Sequence, residues 1–168
     1  KYEERLAKIT GGVAIIKVGG ATEAEMKERK YRVDDAVHAV KGAAQEGIVP
    51  GGGLALLRAA DAILKLKLDG DEAAGARVIA KALEAPMATI VSNAGYDPSE
   101  ILTEAREKGG STGFDAAAGE WVDLFKAGVV DAAKVARCAL QNAASVMSAL
   151  LTSKTVVVDL KEGKRKVA

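Results

Sequence analysis

The chain has 168 residues, 49% of them hydrophobic and 4% aromatic, with a formal net charge of +1. That suits one compact domain with a partial second, is too apolar for wholesale disorder, and offers no field to recruit nucleic acid or acidic lipid. No apolar run reaches the roughly 18 residues of a membrane span. Cys138 is the only cysteine, so no intrachain disulfide forms and a reducing compartment is implied. Its apolar helical setting reads as a buried structural thiol rather than a nucleophile. The first residue is Lys1 and already reads as helix, which implies that the chain starts inside a larger protein.

In chain order, Tyr2–Ile9 reads as a short helix stopped by Gly11-Gly12. Val13–Val18 reads as a strand closed by Gly19-Gly20. Thr22 offers an N-cap, with Glu25 as its capping-box partner. From Glu23 to Gln45 only Gly42 weakens a helix that would span about 34 Å. Its apolar stripe is Met26, Val33, Val37, Val40 and Ala44. Asp35 lies about 200° around from Val33. A long, lightly hydrophobic helix with an off-stripe acid suggests a lever between two bodies.

Gly47–Gly53 is a break in which Pro50 ends one element and the glycines begin the next. Leu54–Leu66 reads as an apolar helix, Asp69-Gly70-Asp71 as a turn, and Glu72–Leu83 as a helix. A separate helix is expected from Pro86 to Asn93, with Gly95 after it. Asp97-Pro98-Ser99-Glu100 opens another, which stops at Gly109-Gly110. Gly113–Val122, with Phe114 and Trp121, reads as a hairpin or an irregular loop pair. Asp131 is the expected N-cap of a core helix over Ala132–Leu151. Thr155–Leu160 is a β-branched strand with no obvious partner in the chain, which implies pairing with another chain. The basic tail from Lys161 to Lys166 reads as a solvated terminus rather than a nucleic-acid arm.

Three features could carry chemistry. Gly51-Gly52-Gly53 reads as either a tight turn or a phosphate loop; it has neither the Walker lysine nor the G-x-G-x-x-G spacing. Asp34-Asp35 reads as a solvated polar face or as a catalytic or metal-binding pair, though neighbours on a helix diverge by about 100°. His38, the only histidine, lies one turn after both acids, where a surface ion pair accounts for it. Asp115 and Asp131 carry no signal of their own beyond loop and cap.

The order of these motifs resembles the group I chaperonins, the GroEL-type folding machines. The strings that carry the resemblance are ERLAKITGGVAIIKVGGATEAEMKERKYRVDDAVHAVKGAAQEGIVPGGGLALL, ALEAPMATIVSNAG, FDAAAGEW, GVVDAAKVARCALQNAASV and TVVVDL. They cover nearly the whole chain, which looks like the C-terminal third of the family's subunit. The resemblance implies a mainly α fold with a few short strands. Residues 1–13 would end an apical domain and residues 14–45 would form the returning half of an intermediate domain. Residues 46–168 would be the C-terminal half of an equatorial ATPase domain.

By the same resemblance, Asp35 matches the aspartate that positions the attacking water over bound ATP. Gly52, flanked by Gly51 and Gly53, matches a glycine whose backbone touches the nucleotide. Asp115, Ala116 and Ala117 match the segment around the adenine. The family often has Asn at the first of these, which puts a side-chain contact by Asp115 in doubt. Asp131 matches the acid that binds the ribose hydroxyls. Glu46 and Arg137 match an ion pair near the hinge. Glu23 matches a contact with a neighbouring subunit, and Thr155–Leu160 a strand shared with one.

The implied function is ATP-dependent protein folding and refolding in a ring of identical subunits in the cytoplasm, bacterial or in an organellar matrix. ATP would act with Mg2+ and K+. Co-chaperonin and unfolded clients would engage apical regions absent from this sequence. The family's Gly-Asp-Gly-Thr-Thr phosphate loop and its magnesium-binding acid are also absent, so no metal ligand is assigned here. The alternative is a structural or assembly fragment with no ATPase activity of its own.

Overall fold

The computed structural model describes Tyr2, Arg5, Leu6, Ile9 and residues 14–158. Those first four residues are helical; the rest of the predicted first helix lies outside the described residues, as do Val13, Asp159, Leu160 and the basic tail. Helices hold 62% of the structure, so the mainly α expectation holds.

Helix α1 spans Glu23–Glu46 and starts as its capping residues dictate. The Glu25 N–H donates to Thr22 Oγ1 at 3.2 Å, and the Glu25 carboxylate reaches back to accept from the Ala21 N–H at 2.8 Å. Ion pairs one turn apart join Glu23 to Lys27, Glu25 to Arg29 and Glu28 to Arg32. Each such exposed pair adds only about 0.3–0.5 kcal/mol. Gly42 is the helix's one buried residue, so α1 is held mostly by its own bonds. His38 makes no ion pair with the acids behind it; its Nδ1 donates to the Asp34 carbonyl at 2.7 Å. Ala14–Val18 is not a strand. No neighbouring strand exists for it among the described residues, and a lone strand leaves its backbone groups unpaired.

Gly47, at φ 83°, ends α1 and turns the chain into β1, Ile48–Pro50. Further along, β1 pairs antiparallel with β4, Val130–Ala132. The ladder sets Ile48 against Ala132, Val49 against Asp131 and Pro50 against Val130. Asp131 is therefore a strand residue, not a helix cap. Helix α5, Ala133–Leu151, starts from Ala132 with no side-chain cap.

Between these strands lie α2 (Leu54–Leu64), α3 (Gly70–Asn93), α4 (Pro98–Lys108) and a hairpin of β2 (Thr112–Asp115) and β3 (Glu120–Asp123). The two helices expected over Glu72–Asn93 are one, with Pro86 inside it. Ala80, Leu83, Met87 and Val91 form one buried stripe across the proline, and breaking the helix there would split that stripe. The core is built from α2, α3, α4 and the hairpin, around Leu54, Leu57, Met87, Val91, Leu102, Phe114 and Leu124. It is not built on α5, which has no buried residue. Val146, Met147 and Leu151 stay exposed, and Val135 is 56% exposed although it lies beside Gly42 of α1. Thr155–Val158 is likewise not in a strand, having no partner among the described residues.

Polar contacts tie the core helices together. Arg106 on α4 reaches Asp61 on α2 at 3.0 Å and Glu84 on α3 at 2.6 Å. Arg58 donates to the carbonyls of Ala105 and Arg106, which end α4. At the other end of the molecule Arg137 on α5 grips Glu46 on α1 with two bonds, Nε to Oε2 at 2.9 Å and Nη2 to Oε1 at 2.7 Å. Lys134 Nζ donates beside it to Gln45 Oε1.

The Arg137 hydrogen bond holds the Glu46 carboxyl below its ordinary value of 4.5. A depressed carboxyl stabilises the fold fully above that ordinary value and loses this contribution as pH falls through the lowered one. Glu46→Gln should therefore melt below the wild-type chain at pH 7, and the gap should narrow as pH falls below 4.5 and through the lowered carboxyl value; a gap that does not shrink in acid would refute the pair's role. The second prediction concerns Gly53, which has φ 79° and whose absent Cβ would lie 2.6 Å from the Met87 backbone nitrogen. Handedness and overpacking together should make Gly53→Ala cost about 2–4 kcal/mol in chemical denaturation. Gly52→Ala, at φ 64° with its nearest foreign atom 3.9 Å away, should cost about 1–2 kcal/mol from handedness alone.

Candidate functional site

The three glycines do different jobs. Gly51 runs against residue 129: its N–H donates to the Val129 carbonyl at 3.0 Å, and a Cβ there would sit 3.1 Å from that carbonyl. Gly53 packs onto the backbone of α3. Gly52 faces the hairpin, where a Cβ would lie 3.9 Å from the Phe114 carbonyl oxygen and meet nothing nearer. The N–H groups of Gly52 and Gly53 have no partner among the described residues, and they open the N-terminus of α2. Unpaired N–H groups at a helix start favour an anion or a polar ligand edge. The tight-turn reading is met by Gly51 and Gly53, while Gly52 keeps a free N–H and an open side.

The hairpin brings Asp115, Ala116 and Ala117 to the same place. Its register sets Phe114 opposite Trp121 and Asp115 opposite Glu120. The Asp115 carboxylate is used inside its own turn. Oδ1 accepts from the N–H groups of Ala117 at 2.9 Å and Ala118 at 3.3 Å, and the Asp115 carbonyl accepts from Gly119 at 2.7 Å. Ala116 packs against the core and Ala117 is exposed. The side chain of Asp115 shapes the turn, and what the turn offers a ligand is backbone and methyl surface.

Asp131 reaches the site through the β1–β4 ladder. Its partner Val49 precedes Gly51 by two residues, and the carboxylate is exposed. The glycine loop thus meets the hairpin strand at Phe114, and the ladder brings the Asp131 backbone opposite Val49, two residues before the loop. Asp35 belongs to a different part of the molecule. It is exposed on α1, eleven residues before Glu46 and so about 16 Å along the helix axis. Asp34, its neighbour, lines an open cleft of about 410 Å³ between Ala14–Val18 and α1, with Lys27 and Lys30 beside Met26, Val33 and Val37. That cleft holds none of the predicted site residues. Asp34 and Asp35 face different surroundings, as their angular separation requires. Among the described residues no group of three or more His, Cys, Asp or Glu could hold a metal ion.

Sequence reasoning passed over two contributors. Val129 supplies the carbonyl that holds Gly51. Tyr96 stacks edge-on against Phe114, with ring centroids 4.9 Å apart, and its hydroxyl overhangs Gly119. Gly95 follows α3 in the left-handed region and reverses the chain there, but Tyr96 stays 42% exposed and no residue pattern singles it out.

A chain of this architecture has solved counterparts. It is similar to a protein whose structure is titled "Crystal structure of group III chaperonin in the open state", with 29% sequence identity and a TM-score of 0.74. The alignment covers 88% of this chain and 32% of that one, so the chain spans about a third of its relative's length. The family model described as the TCP-1/cpn60 chaperonin family matches residues 3–161. With nearly every residue inside that match, the chain belongs to the TCP-1/cpn60 chaperonin family.

Proposed function

We propose that this chain is the ATP-handling C-terminal portion of a chaperonin subunit of the group I type, which assists protein folding in a cytoplasmic ring of identical subunits. In this reading residues 14–45 are the returning intermediate segment and residues 46–168 half of the equatorial domain. The observation that supports it is the approach of Gly52 to the hairpin strand that leads into the Asp115–Ala117 turn, with Asp131 paired to Val49 two residues before the glycine loop. Gly52 offers its unpaired N–H to the nucleotide, the turn lies along the base, and the exposed Asp131 carboxylate accepts from the ribose hydroxyls. Glu23, the first residue of α1, and the Thr155–Leu160 segment meet adjacent subunits. Co-chaperonin and clients bind apical regions of the same subunit.

Asp35 acts on the water. Phosphoryl transfer to water asks for a placed nucleophile and neutralised charge more than for a strong base. A carboxylate swung in on α1 accepts a hydrogen bond from that water and aims it at the γ-phosphate. Magnesium and potassium would supply neutralisation of the phosphate charge, and none of the site residues named here is assigned as their ligand. In the full-length subunit Asp35→Ala should leave the ATP dissociation constant within about twofold of wild type and lower turnover by about 10²-fold or more. Unchanged steady-state hydrolysis would remove Asp35 from the mechanism.

A second reading treats the 168-residue chain by itself as a structural and assembly piece. The absence of a Gly-Asp-Gly-Thr-Thr string from its sequence favours it, as does the exposed apolar face of α5. On this view the purified chain should show no magnesium-dependent phosphate release above background, measured at saturating ATP. Robust turnover would reject it.

A further inference from the structure

The hairpin that carries Asp115–Ala117 has a ladder of four residue pairs, and an isolated two-stranded hairpin is marginal in water. Something behind the turn must hold it. Tyr96 touches both ends of it. Its ring meets Phe114, the residue before Asp115, in an edge-on contact at 80°. Its hydroxyl oxygen stands 2.3 Å from where a Cβ on Gly119 would be, at the turn's far end.

Tyr96 is itself anchored. The Gly95 N–H donates to the Ser92 carbonyl at 3.0 Å and the Tyr96 N–H to the Val91 carbonyl at 3.1 Å. This double bond pattern reverses the chain at a helix end and fixes Tyr96 to α3 next to buried Val91. Gly53 packs on the same helix, at Met87. One helix therefore sets both walls: the glycine loop through Met87 and the hairpin turn through Tyr96. Because Asp115 spends its carboxylate inside the turn, the turn has no free side-chain hydrogen bond with which to absorb an error in position.

We propose that Tyr96 is a positioning residue that holds the Asp115–Gly119 turn at its distance from Gly52, and so sets how tightly and how selectively the base of a nucleotide is gripped. The proposal rests on the reading of that turn as the base-side wall. It is tested in the full-length subunit by equilibrium binding of ATP and of GTP to wild type, Tyr96→Ala and Tyr96→Phe. Loss of the ring should weaken ATP about three- to tenfold, the scale of an aromatic pair. GTP should change less, so the ATP-to-GTP preference falls. Tyr96→Phe keeps the ring and should keep the preference. Emission from Trp121, the only tryptophan in these 168 residues, packed 5.5 Å from Phe114, should shift in Tyr96→Ala and not in Tyr96→Phe when measured on the 168-residue chain.

A general loss of fold would weaken both nucleotides together and leave their ratio alone, so an unchanged ratio overturns the proposal. If Tyr96→Ala does not fold, Tyr96→Leu keeps apolar bulk without the ring and is read by the same ratio. No nucleotide binding by the wild-type subunit overturns the underlying site reading and this proposal with it. Binding with an unaltered preference overturns this proposal alone.

Discussion

A short run of backbone pairing joins the two ends of this molecule, and the site depends on it. The β1–β4 ladder spans only three residue pairs, but it is extended on both sides. The Ala133 N–H donates to the Gly47 carbonyl at 3.1 Å, and the Gly51 N–H to the Val129 carbonyl at 3.0 Å. Pairing thus runs from the hinge glycine to the first glycine of the loop. At one end it presents Glu46 to Arg137 across 91 residues of sequence. At the other it delivers Gly51–Gly53 to the start of α2 with Asp131 alongside. Each backbone bond contributes only about 1 kcal/mol net. Their value lies in register, since a slip of one residue would reverse which face Asp131 presents.

The rest of the fold divides by how it is held. The α2–α3–α4–hairpin body is cemented by burial: Leu54 and Leu57 are fully buried, and Arg106 bridges all three helices. Helices α1 and α5 bury almost nothing and meet through Gly42, Ala132 and a set of exposed polar bonds. The contact at Gly42 is ordinary, with its absent Cβ 3.6 Å from that of Ala132. A joint of small residues and surface ion pairs can open at low cost, whereas a joint of interdigitated leucines cannot. The apolar residues that α5 leaves exposed are more than a monomer's surface needs, in keeping with a chain that spans about a third of its relative.

Much of this was legible from residue chemistry alone. Thr22 and Glu25 announced the start of α1, the glycine pairs announced element ends, and Phe114 with Trp121 allowed a hairpin. The misreadings share a cause: each weighed a local signal that tertiary context overruled. Pro86 ordinarily breaks a helix, yet the stripe from Ala80 to Val91 holds α3 through it. Asp131 has the chemistry of a cap, yet pairing with Val49 claims its backbone first. The run Ala14–Val18 has β-branched composition but no neighbour to pair with. At the candidate site, Gly52 and Asp131 could be matched from the motif strings, but not the ladder between residues 48 and 132 that relates them. Tyr96 was invisible because nothing in a lone tyrosine after a glycine says which turn it will support.

The geometry of α1 bears on how Asp35 could act at all. Burial does not fix the helix, so its attitude is set by Gly47 at one end and by the Glu46–Arg137 and Gln45–Lys134 contacts beside it. Asp35 stands about 16 Å from that end. Rotation about the hinge by about 10° moves the carboxylate by about 3 Å, one hydrogen-bond length. On the proposed role of Asp35, a displacement of that size is the difference between reaching a water and missing it. The ion pair is well suited to gate it. A bidentate guanidinium–carboxylate contact is directional, so small rotations cost little until one of its two bonds is lost. Exposure then lets water replace that bond.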